Sequence, residues 1–514
     1  MKPIRLISGF LTVGFWTLMS RILGFVREIM ILSLIGPGPL MDAFVAAFRL
    51  PNMFRRFFAE GAFNASFVPL FSKKLEGEED AHQFATDALN ALAVVTLLLT
   101  ALAMIFMPGL VWLTAAGFEG DARFDLTVGF GRVVFPYIFF MSLAALFSGI
   151  LNATGRFAAA AAAPTLLNVF VIAAMALAHV LEQEVIQWLI WVIPFAGVAQ
   201  LALTWGAAAR AGFALKPRLP RFTPDMRNLL VTAVPAALAT GVMQINLVVG
   251  QLVASQFEGA VSWLFAADRL YQLPLGVVGI AVGIVLLPDL SRRLKANDAA
   301  GARDALSRAA EFSMALTLPS AVALAMIALP LVSVLFERGQ TSADDVAAIA
   351  VATTIYGLGL PAFVLQKVQQ PLFFARGDTK RPFYYALLAM FVNAALAFGL
   401  VPYIGWMAPA VAAVVSGWMM VALLAIGARP MGEVARFDRR FWQRLPRLVL
   451  SSTIMGGVLY SAHITLASAL GTPGVRYFAL IVLVLLGVLS FLGSAHMTRA
   501  LRISELRSAM RRTQ

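Results

Sequence analysis

Fourteen apolar runs, each long enough to cross a bilayer, follow one another at about 7–35, 42–71, 86–115, 126–151, 158–181, 186–209, 228–256, 262–290, 309–336, 345–373, 383–402, 407–427, 447–470 and 476–497. A span needs about 20 apolar residues, and in hydrocarbon a helix meets all its backbone hydrogen bonds internally. The chain is therefore expected to be all-α, a polytopic membrane protein of about 14 transmembrane helices. Its net charge of +13 would suggest nucleic acid in a soluble chain, but placement explains it better. With the N-terminus in the cytoplasm, the loops on that side hold 29 of the 40 Lys and Arg, and the opposite loops hold Arg123, Arg338 and Arg476. That is a strong positive-inside pattern. It puts both termini in the cytoplasm and gives nucleic acid no part. The opening MKPIR and its apolar run resemble a signal peptide. Arg21 and Arg27 follow with no small-residue cleavage pattern, so an uncleaved first span is expected.

The charges that remain inside spans carry the functional argument. Residues 20–67 hold Arg21, Arg27, Arg49, Arg55 and Arg56, against Glu28, Asp42 and Glu60. Arginine at membrane depth is costly, and it faces a polar cavity or a partner far more often than lipid. The positive surplus asks for an external anion. Counting inward at about 1.5 Å per residue puts Arg27 about 12 Å, Arg49 about 10 Å and Arg269 about 10 Å below the outer ends of their spans. Arg21, Arg55 and Arg56 form a second tier about 20 Å deep. Two basic tiers suit one elongated anion, or an anion passed between levels. On an ideal helix Arg49, Arg56 and Glu60 share a face, whereas Arg21 and Arg27 fall about 120° apart. Arg56 and Glu60, four apart, can pair. Lys367, beside Gln366 and Gln369-Gln370, is a second polar cluster.

An internal repeat organises the spans. Ala46-Ala47-Phe48-Arg49-Leu50 recurs as Ala266-Ala267-Asp268-Arg269-Leu270, offset by 220. VPLFSKKLEG at 68–77 is matched by LPDLSRRLKA at 287–296, offset by 219. Spans one to six then correspond to seven to twelve in the same orientation, which is a transporter architecture with substrate at the interface of the halves. The expected domains are a six-helix lobe over 1–221, a second over 222–440, and an appended helix pair with a basic tail over 441–514.

Other chemistries find little support. The chain has no cysteine, which excludes disulfides, thiolate nucleophiles and iron–sulfur clusters. His82, His179, His463 and His496 are scattered without metal-ligand spacing. No cofactor is expected. A membrane enzyme acting on polyprenyl phosphates needs clustered carboxylates for metal-assisted phosphoryl transfer. The candidates, Asp121 with Asp125 and Asp344-Asp345, fall in outer loops away from the arginines. A scaffold for cell-wall machinery would leave the buried charges unexplained.

The stretches SRILGFVRE, DAFVAAFRLPNMFRRFFAEGAFNASFVP, AADRLYQLPLGVVGIAVGIVLLPDLSR and KVQQPLFFARGDTKRP resemble the MurJ (MviN) family of lipid II flippases. This family belongs to the multidrug/oligosaccharidyl-lipid/polysaccharide exporter superfamily. The resemblance implies two six-helix lobes around a cationic cavity, and a C-terminal helix pair forming a groove for the polyprenyl tail. It implies alternating-access flipping of an undecaprenyl-diphosphate-linked peptidoglycan precursor across the bacterial inner membrane, without enzyme activity. The family's essential arginines fall on Arg21, Arg27, Arg55 and Arg269, and its acidic and polar positions on Glu28, Asp42 and Glu60. Arg56 joins them from the depth argument. The implied partners are lipid II, membrane lipids and the cell-wall synthesis machinery. Sodium-coupled members carry carboxylates on helices seven and eleven. Here spans seven, eleven and twelve hold no Asp or Glu, only Asn246 and Asn393 in place of such carboxylates, so the resemblance does not carry a sodium site over. The alternative is an exporter of another polyprenyl-linked oligosaccharide, or of drugs, on the same fold. Arginine forks bind diphosphate oxygens bidentately, whereas a cavity rich in arginine opposes cationic drugs.

Overall fold

The computed structural model describes residues 6–55, 62–77, 80–219, 221 and 223–501. Among these the regular structure is helical throughout, and the chain divides into two compact units. One comprises Met1–Ser262 with Arg338–Thr341, the other Trp263–Glu337 with Ser342–Gln514.

In the first unit, α1 (Leu6–Leu34), α2 (Pro39–Arg55) and α3 (Ala62–Glu76) occupy the first two expected spans. The next two are each broken. α4 (Ala81–Ile105) gives way to α5 (Met107–Ala115) at Phe106, and α6 (Ala122–Val134) to α7 (Tyr137–Ala153) at Phe135-Pro136. Pro108 and Pro136 explain the breaks, because proline has no N–H for the preceding turn and suits the first turn of a new helix. α8 (Phe157–Val180), α9 (Val185–Arg210) and α10 (Pro224–Ala254) follow. α1 packs on α8, α8 and α7 on α9, α2 on α6, and α10 on α3 and α5. α2 is held by an apolar cluster of Leu50, Ala103, Met107, Val111, Val128, Phe135 and Ile138, with Phe54 edge-on to Phe135. Between helices in hydrocarbon such a cluster holds by van der Waals packing rather than by transfer from water, and it fixes which face of α2 is turned inward. Pro51 lies inside α2 without ending it. The C-terminal end of α1 is clamped by residues 338–341, where the Gln340 N–H donates to Ser33 O (2.9 Å) and Thr341 Oγ1 to Leu32 O (2.7 Å). Gly339, at φ 59°, must be glycine, since a Cβ there would lie 2.0 Å from Ser33 O.

α11 (Ala260–Lys295) starts in the first unit and continues into the second. The second unit adds α12 (Ala299–Met326), α13 (Ala328–Phe336), α14 (Ala343–Phe374), α15 (Lys380–Gly399), α16 (Val401–Ile404), α17 (Ala408–Ala428), α18 (Arg439–Thr465), α19 (Ala467–Gly471) and α20 (Val475–Met497). α14 packs on α12 and α17, α18 on α12 and α20. Ten helical stretches among the described residues are long and apolar enough to cross a membrane. The other four expected spans lie on α1, on α2 with α3, on α10 and on α11. Three of them carry the arginines in question.

Several helices run past their apolar stretch on the cytoplasmic side expected from charge. α12 begins at Ala299 and α18 at Arg439, where the sequence suggested loops to 308 and 447. Their starts are set by Asp298 and Asp438, whose carboxylates accept from Gly301 N–H and Phe441 N–H. An apolar run marks only the part of a helix in hydrocarbon, whereas a cap marks where the helix begins.

Candidate functional site

Arg27 is the best-defined cation of the first unit. Its Nη1 donates to Asn168 Oδ1 of α8 (2.9 Å) and its Nη2 pairs with Glu28. Asn168 in turn donates from Nδ2 to Ser20 O (2.9 Å), about two turns earlier on the same face of α1. The Arg27 Nε is buried and has no hydrogen-bond partner, so an aimed donor is left over for an acceptor oxygen. Glu28 is buried beside it. The expected role of Glu28 as a neighbouring acid thus has a geometry: it pairs with the guanidinium without occupying all its donors. Arg21, six residues earlier, is exposed, and Arg27 is half-buried.

α2 carries three more of the expected residues, with different surroundings. Asp42 is fully buried, and its oxygens are heavily engaged. Oδ2 accepts from Gly259 N–H (2.7 Å) and Arg123 Nη1 (3.4 Å), and Oδ1 from Ser262 N–H (2.9 Å) and Oγ (2.6 Å). Asp42 therefore acts as an N-terminal anchor for the start of α11. Residues 42 and 262 are 220 apart, the spacing of the repeat, so the bond joins equivalent positions of its two copies. Arg49 reaches Leu247 O of α10 at 3.4 Å, and Arg55 is half-buried in the last turn of α2. Arg56 and Glu60 lie outside the described residues.

Arg123 was expected to be an outer-loop charge. It is instead buried, 4% exposed, over the Phe118 ring at 4.5 Å and bonded to Asp121 (2.7 Å), Asp42 and Phe257 O. Asp121 and Phe118 are near it in the chain, but sequence could not show Asp42 and Phe257 O, which are brought in from α2 and the turn before α11. Asp121 caps α6. Its bond from the Arg123 backbone N–H, then the Arg123 side chain, holds its carboxyl below the usual carboxylate value against some desolvation. Asp345 caps α14 and also accepts from Trp263 Nε1 (2.8 Å). Two of the four loop carboxylates that were candidates for a metal-dependent enzyme, Asp121 and Asp345, are thus bonded at helix starts.

In the second unit the Arg269 guanidinium lies over the Phe265 ring at 4.5 Å. Its neighbour Asp268 accepts from Gln272, one turn on, and Tyr271 packs against Tyr356 and Phe363. Asp268 stood in the repeat motif without being singled out; it precedes Arg269 in the chain, and its carboxylate is engaged by Gln272. Lys367 is exposed, while Gln366 Nε2 donates to Gly417 O (3.0 Å).

Residues 31–483 match the family model described as "Lipid II flippase MurJ". A protein of Rhizobium tropici named "Probable lipid II flippase MurJ" is 46% identical over 468 residues, covering 90% of this chain and 88% of that one. "Lipid II flippase MurJ" of Burkholderia cenocepacia is 34% identical over 440 residues, covering 84% and 85%. Among solved structures, "Lipid II flippase MurJ, inward closed conformation" superposes with a TM-score of 0.79 at 24% identity, over 95% of this chain and 98% of that one. An inward-facing multidrug resistance MATE transporter of the MOP superfamily gives 0.64 at 14%, over 80% and 94%. Both structural matches show the shared fold, and the family rests on the family model and the curated relatives. The chain is a multi-pass membrane protein that belongs to the MurJ lipid II flippase family.

Proposed function

We propose that this protein flips lipid II, the undecaprenyl-diphosphate-linked peptidoglycan precursor, from the cytoplasmic to the periplasmic leaflet of a bacterial inner membrane. The observation that carries the reading is Arg27, fixed on two sides yet keeping a buried, unbonded Nε at membrane depth. A diphosphate offers clustered acceptor oxygens, and charge-assisted Arg–phosphate bonds strengthen where water is scarce. Arg21, Arg55, Arg56 and Arg269 are the further cations of the proposed cavity, with Glu28 and Glu60 as their acidic neighbours. Asp42 holds the start of α11. Alternating access follows from the parallel repeat, with lobes over 1–221 and 222–440 rocking about the site and the helix pair over 441–514 appended. Both termini face the cytoplasm, from the distribution of Lys and Arg. No covalent step is needed. Cell-wall synthesis enzymes, which consume lipid II outside, are the proposed functional neighbours.

The test is leaflet accessibility of lipid II in cells depleted of the protein and complemented with variants. Arg27→Ala and Arg269→Ala are expected to accumulate in the membrane, leave lipid II inaccessible from outside and fail to support growth. Normal accessibility in depleted cells would overturn the reading. Growth with either variant would remove that residue from the site.

A further inference from the structure

Asn168 stands eleven residues into α8, in an otherwise apolar stretch, and is 6% exposed. A buried side-chain amide must satisfy a donor and an acceptor, or it costs stability. Here each half has its partner on α1. The orientation is unambiguous, because guanidinium only donates and a backbone carbonyl only accepts: Oδ1 takes the Arg27 Nη1–H, and Nδ2 donates to Ser20 O. Nδ2 also lies 3.4 Å from Ser20 Oγ. Ser20, Gly24 and Arg27 share one face of α1, since seven residues make nearly two full turns. A Cβ at Gly24 would meet the Asn168 amide at ordinary contact distance, 3.6 Å from Nδ2, so a branched side chain there would press on it.

We propose that Asn168 is a positioning residue for anion binding. Braced against the α1 backbone at Ser20, it holds the Arg27 guanidinium from the side opposite Glu28, so that the buried Nε–H faces the diphosphate. Without this brace, Arg27 keeps one partner, Glu28, on its own helix. Its guanidinium is then free to turn fully onto that carboxylate, which competes with the diphosphate for the same donors. A neutral amide suits the task, because it orients the cation without neutralising it. The inference rests on the proposed function, and its test separates the two.

Lipid II affinity is measured on the purified full-length protein for Asn168→Leu, Arg27→Ala and the double variant, with thermal unfolding in parallel. Leu branches at Cγ as Asn does and removes both bonds; it is the larger side chain, and the parallel unfolding measurement reports what its extra volume costs. Asn168→Leu is expected to weaken binding by about tenfold, the worth of one oriented charge-assisted hydrogen bond, and to add nothing once Arg27 is alanine. Gly24→Val reaches the same point from α1 by crowding Asn168 away, and it should give the same loss with the same dependence on Arg27. Native affinity in both single variants, or losses that simply add to that of Arg27→Ala, would overturn the positioning role. Binding by Arg27→Ala as tight as by the native protein would instead overturn the diphosphate site itself.

Discussion

Arg27 and Arg49 sit at similar expected depth and differ in what they touch. Arg27 is gripped by Asn168 and Glu28, whereas Arg49 meets a backbone carbonyl on α10. Lysine keeps the charge and loses the planar fork. Arg27→Lys should therefore weaken lipid II binding by about ten- to a hundredfold, or about 1.5–3 kcal/mol. Arg49→Lys should bind as the native protein does, because an ammonium also satisfies a carbonyl. Equal affinity for both variants, measured on purified protein, would leave only a diffuse positive field. Asp42 is a residue of another kind. It is the common acceptor for Gly259, Ser262 and Arg123, and the whole cluster is buried. Asp42→Ala strands these donors and a buried guanidinium, for which a loss of about 3–5 kcal/mol is expected. Thermal unfolding in detergent should show a marked drop, and Ser262→Ala, which removes only the hydroxyl donor, a smaller one. A melting point unchanged by Asp42→Ala would contradict the anchor.

At the scale of elements, the appended helix α18 is held to α12 by charge as well as by apolar packing. Arg308 of α12 pairs with Asp304, Glu311 and the α18 cap Asp438, while Glu311 also receives Arg444 (3.3 Å) and Arg440 (3.5 Å). Glu311 is 8% exposed and is the acceptor common to three arginines from two helices. Asp438→Asn keeps a good cap and loses one partly exposed pair, so about 1 kcal/mol or less is expected. Glu311→Gln leaves three guanidiniums without their shared anion, and about 3 kcal/mol is expected. Thermal unfolding of the two variants should rank them in that order, and the reverse ranking would mean that apolar packing alone seats α18. The proline breaks at 106 and 135–136 and the capped starts at 298 and 438 are set by residues close by in the chain, although the apolar runs did not mark them. They did not decide which helix meets which, because a cap acts within three residues of its own chain.

For the whole molecule, orientation in the membrane is the first quantity to measure, and the cysteine-free sequence makes it simple. Leu219, 87% exposed in the stretch between α9 and α10, lies on the side expected to be cytoplasmic. Exposed Glu184, at the start of α9, lies on the other. In intact cells an impermeant thiol reagent should label Glu184→Cys and spare Leu219→Cys, and the opposite result would invert the topology. The membrane character, the all-helical class and the list of candidate cations were determined by sequence alone. Transfer of each residue between water and hydrocarbon depends on its own chemistry and that of its near neighbours in the chain, so a linear reading captures it. Residues with the same linear credentials then parted ways in three dimensions. Asp42 is bonded to the start of α11, Arg123 is a buried hub, and Asn168, unremarked in its apolar run, is the partner of Arg27. Hydrogen bonds act over about 3 Å and here join residues separated by 81 to 220 positions. Only tertiary packing decides which polar groups meet, and with that which arginine keeps a donor for something else.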